Sequence, residues 1–424
     1  MDRSRAWPRS QEVPLPLPPV SASFLPVSPG QCPSDTRTRE SLFSSVKPAS
    51  GPAGSFVAPG QRSSSGSDND DIFAAIDLGT NNCRLMIAAR ANGGFRVVDS
   101  YSRIVRLGEG LHRTGELGED AMTRTMDALR ACAARLGRRK PYGFRAVATE
   151  ACRRARNGRA FIERIRAETG LEFEIISGRE EAELAVESCA GLLFSGIHHD
   201  AAGTVSIRAP GEQAKPGRGL LLDIGGGSTE IAWVRLDQDR RTHDVIGFIS
   251  LPIGVITLSE QFSSQGPEDY RAMVAHVREN LEAFETTHRI GREILSGSVR
   301  VVGTSGTVTT LASLDLDLPR YSRCAIDGYR LGVINARKAI SRLHRMGSRG
   351  MHAHPCIGPE RASYVLPGCA IFEAFLSLWS SDIVVADRGL RDGLLTRMMR
   401  DSGAPGTKRN GTSGPRGRQR RTHG

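Results

Sequence analysis

Two stretches of this chain are written in the same order of residue types, and that repetition narrows the folds open to it. In IFAAIDLGTNNCRLMIAAR, residues 72–90, an apolar run ends in Asp77, one further residue and Gly79. Thr80, Asn81 and Asn82 follow before the apolar residues resume. In GLLLDIGGGSTEIAWVR, residues 219–235, a second apolar run ends in Asp223, one further residue and Gly225. Gly226, Gly227, Ser228, Thr229 and Glu230 come next. Apolar run, tight glycine turn, apolar run is the mark of a β-hairpin. Its return far along the chain predicts two related α/β domains rather than a solenoid of short repeats.

The turns carry chemistry as well as geometry. Glycine lets the backbone approach a ligand closely, and successive N–H groups in such a turn form an anion-binding nest. Ser and Thr hydroxyls add donors, while Asp and Glu offer oxygen to a hard cation. Phosphate together with Mg²⁺ satisfies all of these groups, whereas a single such stretch is equally a capped, glycine-rich hairpin. Two of them facing each other would clamp one phosphate chain from both sides.

The chain of 424 residues is long enough for two domains. Its net charge of +11 is unevenly placed, since residues 401–424 hold six Lys and Arg against Asp401. That tail could attract nucleic acid through charge, although a solvated end is the simpler account. The eight cysteines form no C-x-x-C pair and several lie in apolar runs, which reads as buried thiols. No apolar run is long enough for a membrane span and no secretory leader is evident, so a cytoplasmic protein with no membrane partner is expected. Residues 1–70, rich in Pro, Ser and Gly, read as a disordered extension. The expected layout is domain I over 71–180 and domain II over 181–388. A C-terminal helix over 389–402 packs back on domain I, and a basic disordered tail covers 403–424.

Between the hairpins, a strand at 144–148 leads into ATEACRRARNG, so Arg153, Arg154 and Arg156 follow the C-terminal end of a strand. Open α/β sheets bind ligands there, although a solvated helix face accounts for the arginines as well. In ISGREEAELA, Ser177 and Glu180 have capping-box spacing. Glu181, about 100° further round the helix by the 3.6-residue period, is not explained by the cap. Residues 195–218 read as a polar loop whose His198, His199 and Asp200 lack metal-ligand spacing. A strand at 299–302 delivers Gly303, Thr304, Ser305, Gly306 and Thr307, a third loop opening a helix, which suits either an anion or a simple cap. Pro367 is expected to kink or split the helix that starts near Pro359.

Taken in order, IDLGTNNCRLMIA, LGEGL, ATEACRRARNG, ISGREEAELA, LLDIGGGSTEI, VVGTSGTVTTLA and ADRGLRDGLL resemble the exopolyphosphatase/guanosine pentaphosphate phosphohydrolase family. The resemblance spans about residues 72–400. Longer relatives carry a C-terminal HD-type helical module that this chain ends before, and residues 1–70 have no counterpart in the family core.

The resemblance implies two RNase H-like domains of the actin/Hsp70/sugar-kinase superfold around a central cleft, and a hydrolase that removes a terminal phosphate. Glu181 matches the family's proposed water-activating glutamate and Glu230 its second essential acid. Arg153 and Arg84 match phosphate-contacting positions, where a planar guanidinium can grip phosphate bidentately. The nests at Gly79–Asn82 and Gly225–Thr229 would hold phosphoryl groups, with Gly303–Thr307 as an additional candidate loop. Asp77 and Asp223 would hold Mg²⁺ or Mn²⁺, since Mg²⁺ keeps several waters and uses one or two carboxylates. Polyphosphate is the expected substrate and guanosine pentaphosphate (pppGpp) the alternative. A more distant alternative is an ATP-dependent small-molecule kinase of the same superfold, and a binding-only sensor is a third. A homodimer is left open.

Overall fold

The computed structural model describes residues 72–403 apart from 92–93, 195–196, 200–204, 208–215 and 263–265. The expected extension over 1–70, Asp200 and nearly all of the basic tail lie outside the described residues. The first part of the chain forms β1 (Ile72–Leu78), β2 (Asn82–Ala91), β3 (Gly94–Ile104), α1 (Leu111–Thr114) and α2 (Glu119–Arg139). Next come β4 (Gly143–Ala148), α3 (Glu150–Arg154), α4 (Gly158–Thr169), β5 (Phe173–Ile175) and α5 (Gly178–Phe194). A small pair, β6 (Ile197–His199) and β7 (Val205–Ile207), precedes β8 (Arg218–Ile224), β9 (Thr229–Asp237) and β10 (Thr242–Leu251). There follow α6 (Val255–Gln261), α7 (Pro267–His288), α8 (Ile290–Leu295), β11 (Val299–Thr304) and α9 (Gly306–Asp315). The last elements are α10 (Arg323–Ile326), β12 (Arg330–Leu331), α11 (Val333–Ala353), α12 (Pro359–Leu378), β13 (Ile383–Ala386) and α13 (Leu390–Gly403).

The repeat seen in the sequence is a repeat of topology. The first sheet has the order β3-β2-β1-β4-β5, and the second runs β10-β9-β8-β11-β13 with β12 added at its edge. In each, three antiparallel strands are followed by two that run parallel to the first. These are two RNase H-like α/β units, as the resemblance implied.

The central strands are almost wholly apolar because both of their faces are covered. Alternation at period 2 sends neighbouring residues of one strand to different cores. In β1, Ala74, Ile76 and Leu78 pack with Met126 and Leu129 of α2 and Phe161 of α4. Phe73 and Ala75 face the other way, toward Leu394, Leu395 and Met399 of α13. In β8, Leu220 and Leu222 join Met273 of α7 and Phe372 and Phe375 of α12, while Leu221 meets Ala185 and Cys189 of α5. Full burial of side chains such as Phe372 and Phe375 stabilises the fold by about 1.5–3 kcal/mol each. Helices α5 and α13 therefore lie against each other between the sheets.

Two local expectations change, and one helix is added. Residues 195–218 are not all loop, since β6 pairs antiparallel with β7. Helix α12 runs unbroken through Pro367, because packing against α7 and α11 supports the turn that the missing N–H weakens. Helix α11 went unnoticed in the sequence, where its arginine-rich outer face masks a buried stripe of Ala336, Ala339, Ile340 and Leu343. Cys83, Cys132, Cys152, Cys189, Cys356 and Cys369 are buried free thiols. Among the described residues no helix is long and apolar enough to cross a membrane.

Candidate active site

Both hairpin turns close on the same backbone bond. The Gly79 amide donates to the Asn82 carbonyl and the Gly225 amide to the Ser228 carbonyl, each at 2.9 Å. The intervening amides of Thr80 and Asn81 in the first loop, and Gly226 and Gly227 in the second, make no hydrogen bond among the described residues. Unpaired amides in such a turn are the donors from which anion-binding nests are built. The loops touch: a Cβ at position 227 would lie 2.4 Å from the Thr80 hydroxyl oxygen. Any side chain at 227 would therefore force Thr80 to shift.

The cavity where they meet has a volume of about 580 Å³. The first loop supplies Asp77, Gly79, Thr80, Asn81, Asn82 and Arg84, and the second supplies Asp223, Gly225, Gly226, Ser228 and Glu230. Glu181 reaches it from the first turn of α5, and Thr304, Ser305, Gly306 and Thr307 border it from the third loop. These residues sit at the C-terminal ends of β1, β8 and β11, where parallel-strand architecture opens a crevice.

Four expected residues stand off the cavity lining. Arg153 lies behind Glu181 and donates to Glu181 Oε2 at 3.2 Å, to Glu150 Oε2 at 2.6 Å and to the Ile176 carbonyl at 2.7 Å. It is thus placed to fix the glutamate. Gly227 is taken up by Thr80, and the Thr229 hydroxyl donates to the Ile253 carbonyl at 2.6 Å. Gly303 packs against Ile383 and Val308. The two neighbouring glutamates of α5 part company. The Glu180 amide takes the Ser177 hydroxyl as its cap at 3.2 Å, but its carboxylate pairs with Arg145 at 2.7 Å instead of closing a capping box.

Burial and crowding set the electrostatics. Desolvation lifts Asp223 from its ordinary 3.8 to about 6, and the charge of Asp77 adds to this. Glu230 rises from 4.5 to about 8 through desolvation and then Asp223, against hydrogen bonds from Ser228 and Ser250. Glu181 is pushed well above the carboxylate range by burial and by Glu230, with Arg153 opposing. Asp77 is raised by burial and held back by Arg84 and Arg391. Opposed environments acting on grouped carboxylates are common where acid–base chemistry is done.

The donor set suits a hard divalent cation. All four carboxylates offer oxygen, and a cation would relieve the repulsion that raises their pKa values. Asn81 Oδ1 is the one buried side-chain acceptor among the described residues with no hydrogen-bond partner. Phosphate oxygens only accept, so this atom calls for a donor such as water in a cation's shell. No three His, Cys, Asp or Glu among the described residues converge as a protein-only cage, and Mg²⁺ does not need one where water and phosphate oxygens complete its shell.

Ser305, which precedes α9, holds φ 117° and ψ 168°, a region that side chains other than glycine rarely enter. Several further residues line the wall that no sequence motif singles out: Ser102 and Arg103 of β3, Thr149 before α3, Glu360, Arg361 and Tyr364 of α12, and Arg388. Arg361 and Tyr364 are three apart on a helix, hence on one face, and that spacing was a legible signal beside the apolar stripe.

The model of the Ppx/GppA phosphatase family matches residues 86–402. This chain belongs to the Ppx/GppA phosphatase family. That match begins just past Arg84, after the first loop. Exopolyphosphatase 2 of Mycobacterium tuberculosis is 31% identical over 318 residues, covering 71% of this chain and 88% of the relative. The Ppx/GppA family member of Aquifex aeolicus is 27% identical with a TM-score of 0.62, covering 79% of this chain and 99% of that one. An exopolyphosphatase from Cytophaga hutchinsonii, 24% identical with a TM-score of 0.65 over 78% of this chain and 98% of its own, shares the fold. Within this family the chain is a phosphoanhydride hydrolase.

Proposed function

We propose that this protein is an exopolyphosphatase, releasing the terminal phosphate of inorganic polyphosphate by in-line attack of water. The observation that carries the reading is the position of Glu181, which borders the same cavity as both Asp-x-Gly loops. A phosphoanhydride is inert because its negative charge repels nucleophiles, so a catalyst must neutralise charge and aim the water. The free amides of the two loops cradle phosphoryl oxygens, and Arg84, Arg103 and Arg361 on the cavity wall hold the anionic chain. Glu181 accepts the proton of the attacking water, while Arg153 fixes its carboxylate. Glu230, held by the Ser250 hydroxyl at 2.8 Å, orients the water or its neighbours. Mg²⁺ or Mn²⁺ held by Asp77 and Asp223 would neutralise phosphoryl charge when bound.

Guanosine pentaphosphate ends in the same bond and is the second reading. Tyr364 and Glu360 on the wall offer a base a stacking surface and an acceptor. The test is a steady-state comparison of phosphate release from long-chain polyphosphate and from pppGpp, with Mg²⁺ and no acceptor. A higher kcat/KM on polyphosphate supports the proposal, a higher one on pppGpp selects the alternative, and ADP formation from ATP that requires an acceptor and yields no free phosphate would mark a kinase.

A further inference from the structure

The motif LGEGL, residues 107–111, and the short helix α6 have no part in the chemistry above, yet each holds one phosphate loop. On the first loop, the Asn81 carbonyl accepts from the amides of Val105 at 2.9 Å and Arg106 at 3.0 Å. The Thr80 carbonyl accepts from Gly108 at 2.9 Å. On the second, the Gly225 carbonyl accepts from Val255 at 3.0 Å and the Gly226 carbonyl from Ile256 at 2.8 Å. The second brace is seated closely: a Cβ at position 254 would lie 2.5 Å from the carbonyl carbon of Gly226. Each loop thus has its outer carbonyls bound and its inner amides free.

The two braces meet. Beyond Gly108 the first reaches Gly110, whose φ of 74° is a left-handed conformation suited to glycine. The second runs along α6 to Glu260. The Gly110 amide donates to Glu260 Oε1 at 2.9 Å, in an exposed position. Loop, brace, hydrogen bond, brace and loop form a closed ring around one side of the cavity.

We propose that Glu260 is a positioning residue that sets the spacing of the two phosphate loops through the Gly110 amide. The proposal rests on the hydrolase reading of this cavity. In-line displacement demands that groups on the two sides of the phosphoryl be held to within a fraction of an ångström. A tie at the solvent-facing end of both braces holds the ligand-free loops near that spacing, and being exposed it can part for substrate entry. Without it the substrate itself must draw the loops together, and part of its binding free energy goes into that step.

The test compares the full-length wild type with E260A and E260Q. Three quantities are measured: hydrogen exchange of the Gly110 amide, melting temperature, and kcat and KM for phosphate release from polyphosphate. In E260A the Gly110 amide should lose protection and KM should rise about 10-fold, the worth of one hydrogen bond, with kcat within about 3-fold. The melting temperature should hold, because the side chain is exposed. Glutamine presents the same acceptor, so E260Q should keep Gly110 protected and KM within about 2-fold of wild type. Wild-type KM in E260A despite an unprotected Gly110 overturns the proposal. So does a defect in E260Q equal to that in E260A, which would assign the effect to charge. A wild type that releases no phosphate from polyphosphate or pppGpp defeats the hydrolase reading itself, a different failure from a variant that merely matches an active wild type.

Discussion

Asp223 stands directly opposite Glu230 across the β8–β9 ladder, whereas Asp77, at the equivalent place in the first hairpin, stands opposite Arg84. The same backbone thus carries two electrostatic characters. The second hairpin concentrates acid, and its carboxylates are forced upward in pKa. The first pairs acid with guanidinium, which keeps Asp77 nearer its charged form. Hydrolysis of a polyanion calls on both characters, since cation and phosphate must be held side by side.

Removing the base while keeping its shape should separate binding from chemistry. Glu181→Gln is expected to lower kcat by about 10²–10⁴, the usual worth of a positioned base. Polyphosphate affinity, measured by calorimetry on the same protein, should change little. A variant with full activity would take Glu181 out of the mechanism.

Arg153 opposes the upward push on Glu181, so its removal should raise that pKa further. In Arg153→Met the acid limb of the kcat/KM profile should move to higher pH. In Arg153→Lys, which keeps the charge but not the planar fork, it should move less. Unchanged limbs in both would show that the 3.2 Å contact does not govern the base.

Stability should depend on pH in an unusual direction for carboxylates. Asp223 is raised from 3.8 to about 6 and Glu230 from 4.5 to about 8. The folded protein therefore holds more protons than the unfolded chain in this range. Stability from these groups is fully present only below pH 3.8 and is lost as pH rises through 6 and then 8. The melting temperature of metal-free protein should fall from pH 5 to 8.5, and Mg²⁺ should restore more of it at the upper end. An equal Mg²⁺ effect at both ends would argue against the carboxylates as its site.

Ser305→Gly should relieve the backbone strain at φ 117° and stabilise the protein by about 1 kcal/mol, read by denaturant melts. Phosphate release should fall, since the cavity loses a hydroxyl. Lower stability would show that the Ser305 hydroxyl, which caps Val308 at 3.5 Å, matters more than the strain.

Much of this was legible beforehand because the decisive features are local. The Asp-x-Gly turns, their flanking apolar runs and the first turn of α5 are each set within about ten residues, where period and turn chemistry speak clearly. Glu181 stood out because its neighbour Glu180 already answered for the cap. What could not be read was which residues distant elements bring to the cavity. Arg361, Tyr364 and Arg388 arrive from α12 and the β13–α13 turn, and no local pattern announces that meeting. Pro367 misled for a related reason, since the packing that sustains α12 comes from α7 and α11. The place of Arg153 behind Glu181 depends on the bend between β4 and α3, which sequence does not reveal.

The chain passes between its halves twice, once from β5 into α5 and once from β13 into α13, and those two helices lie side by side. Two adjacent crossings would confine any relative movement of the halves to one axis and oppose twist and slide. Cutting the chain ahead of Leu390 would leave a single crossing and remove that constraint.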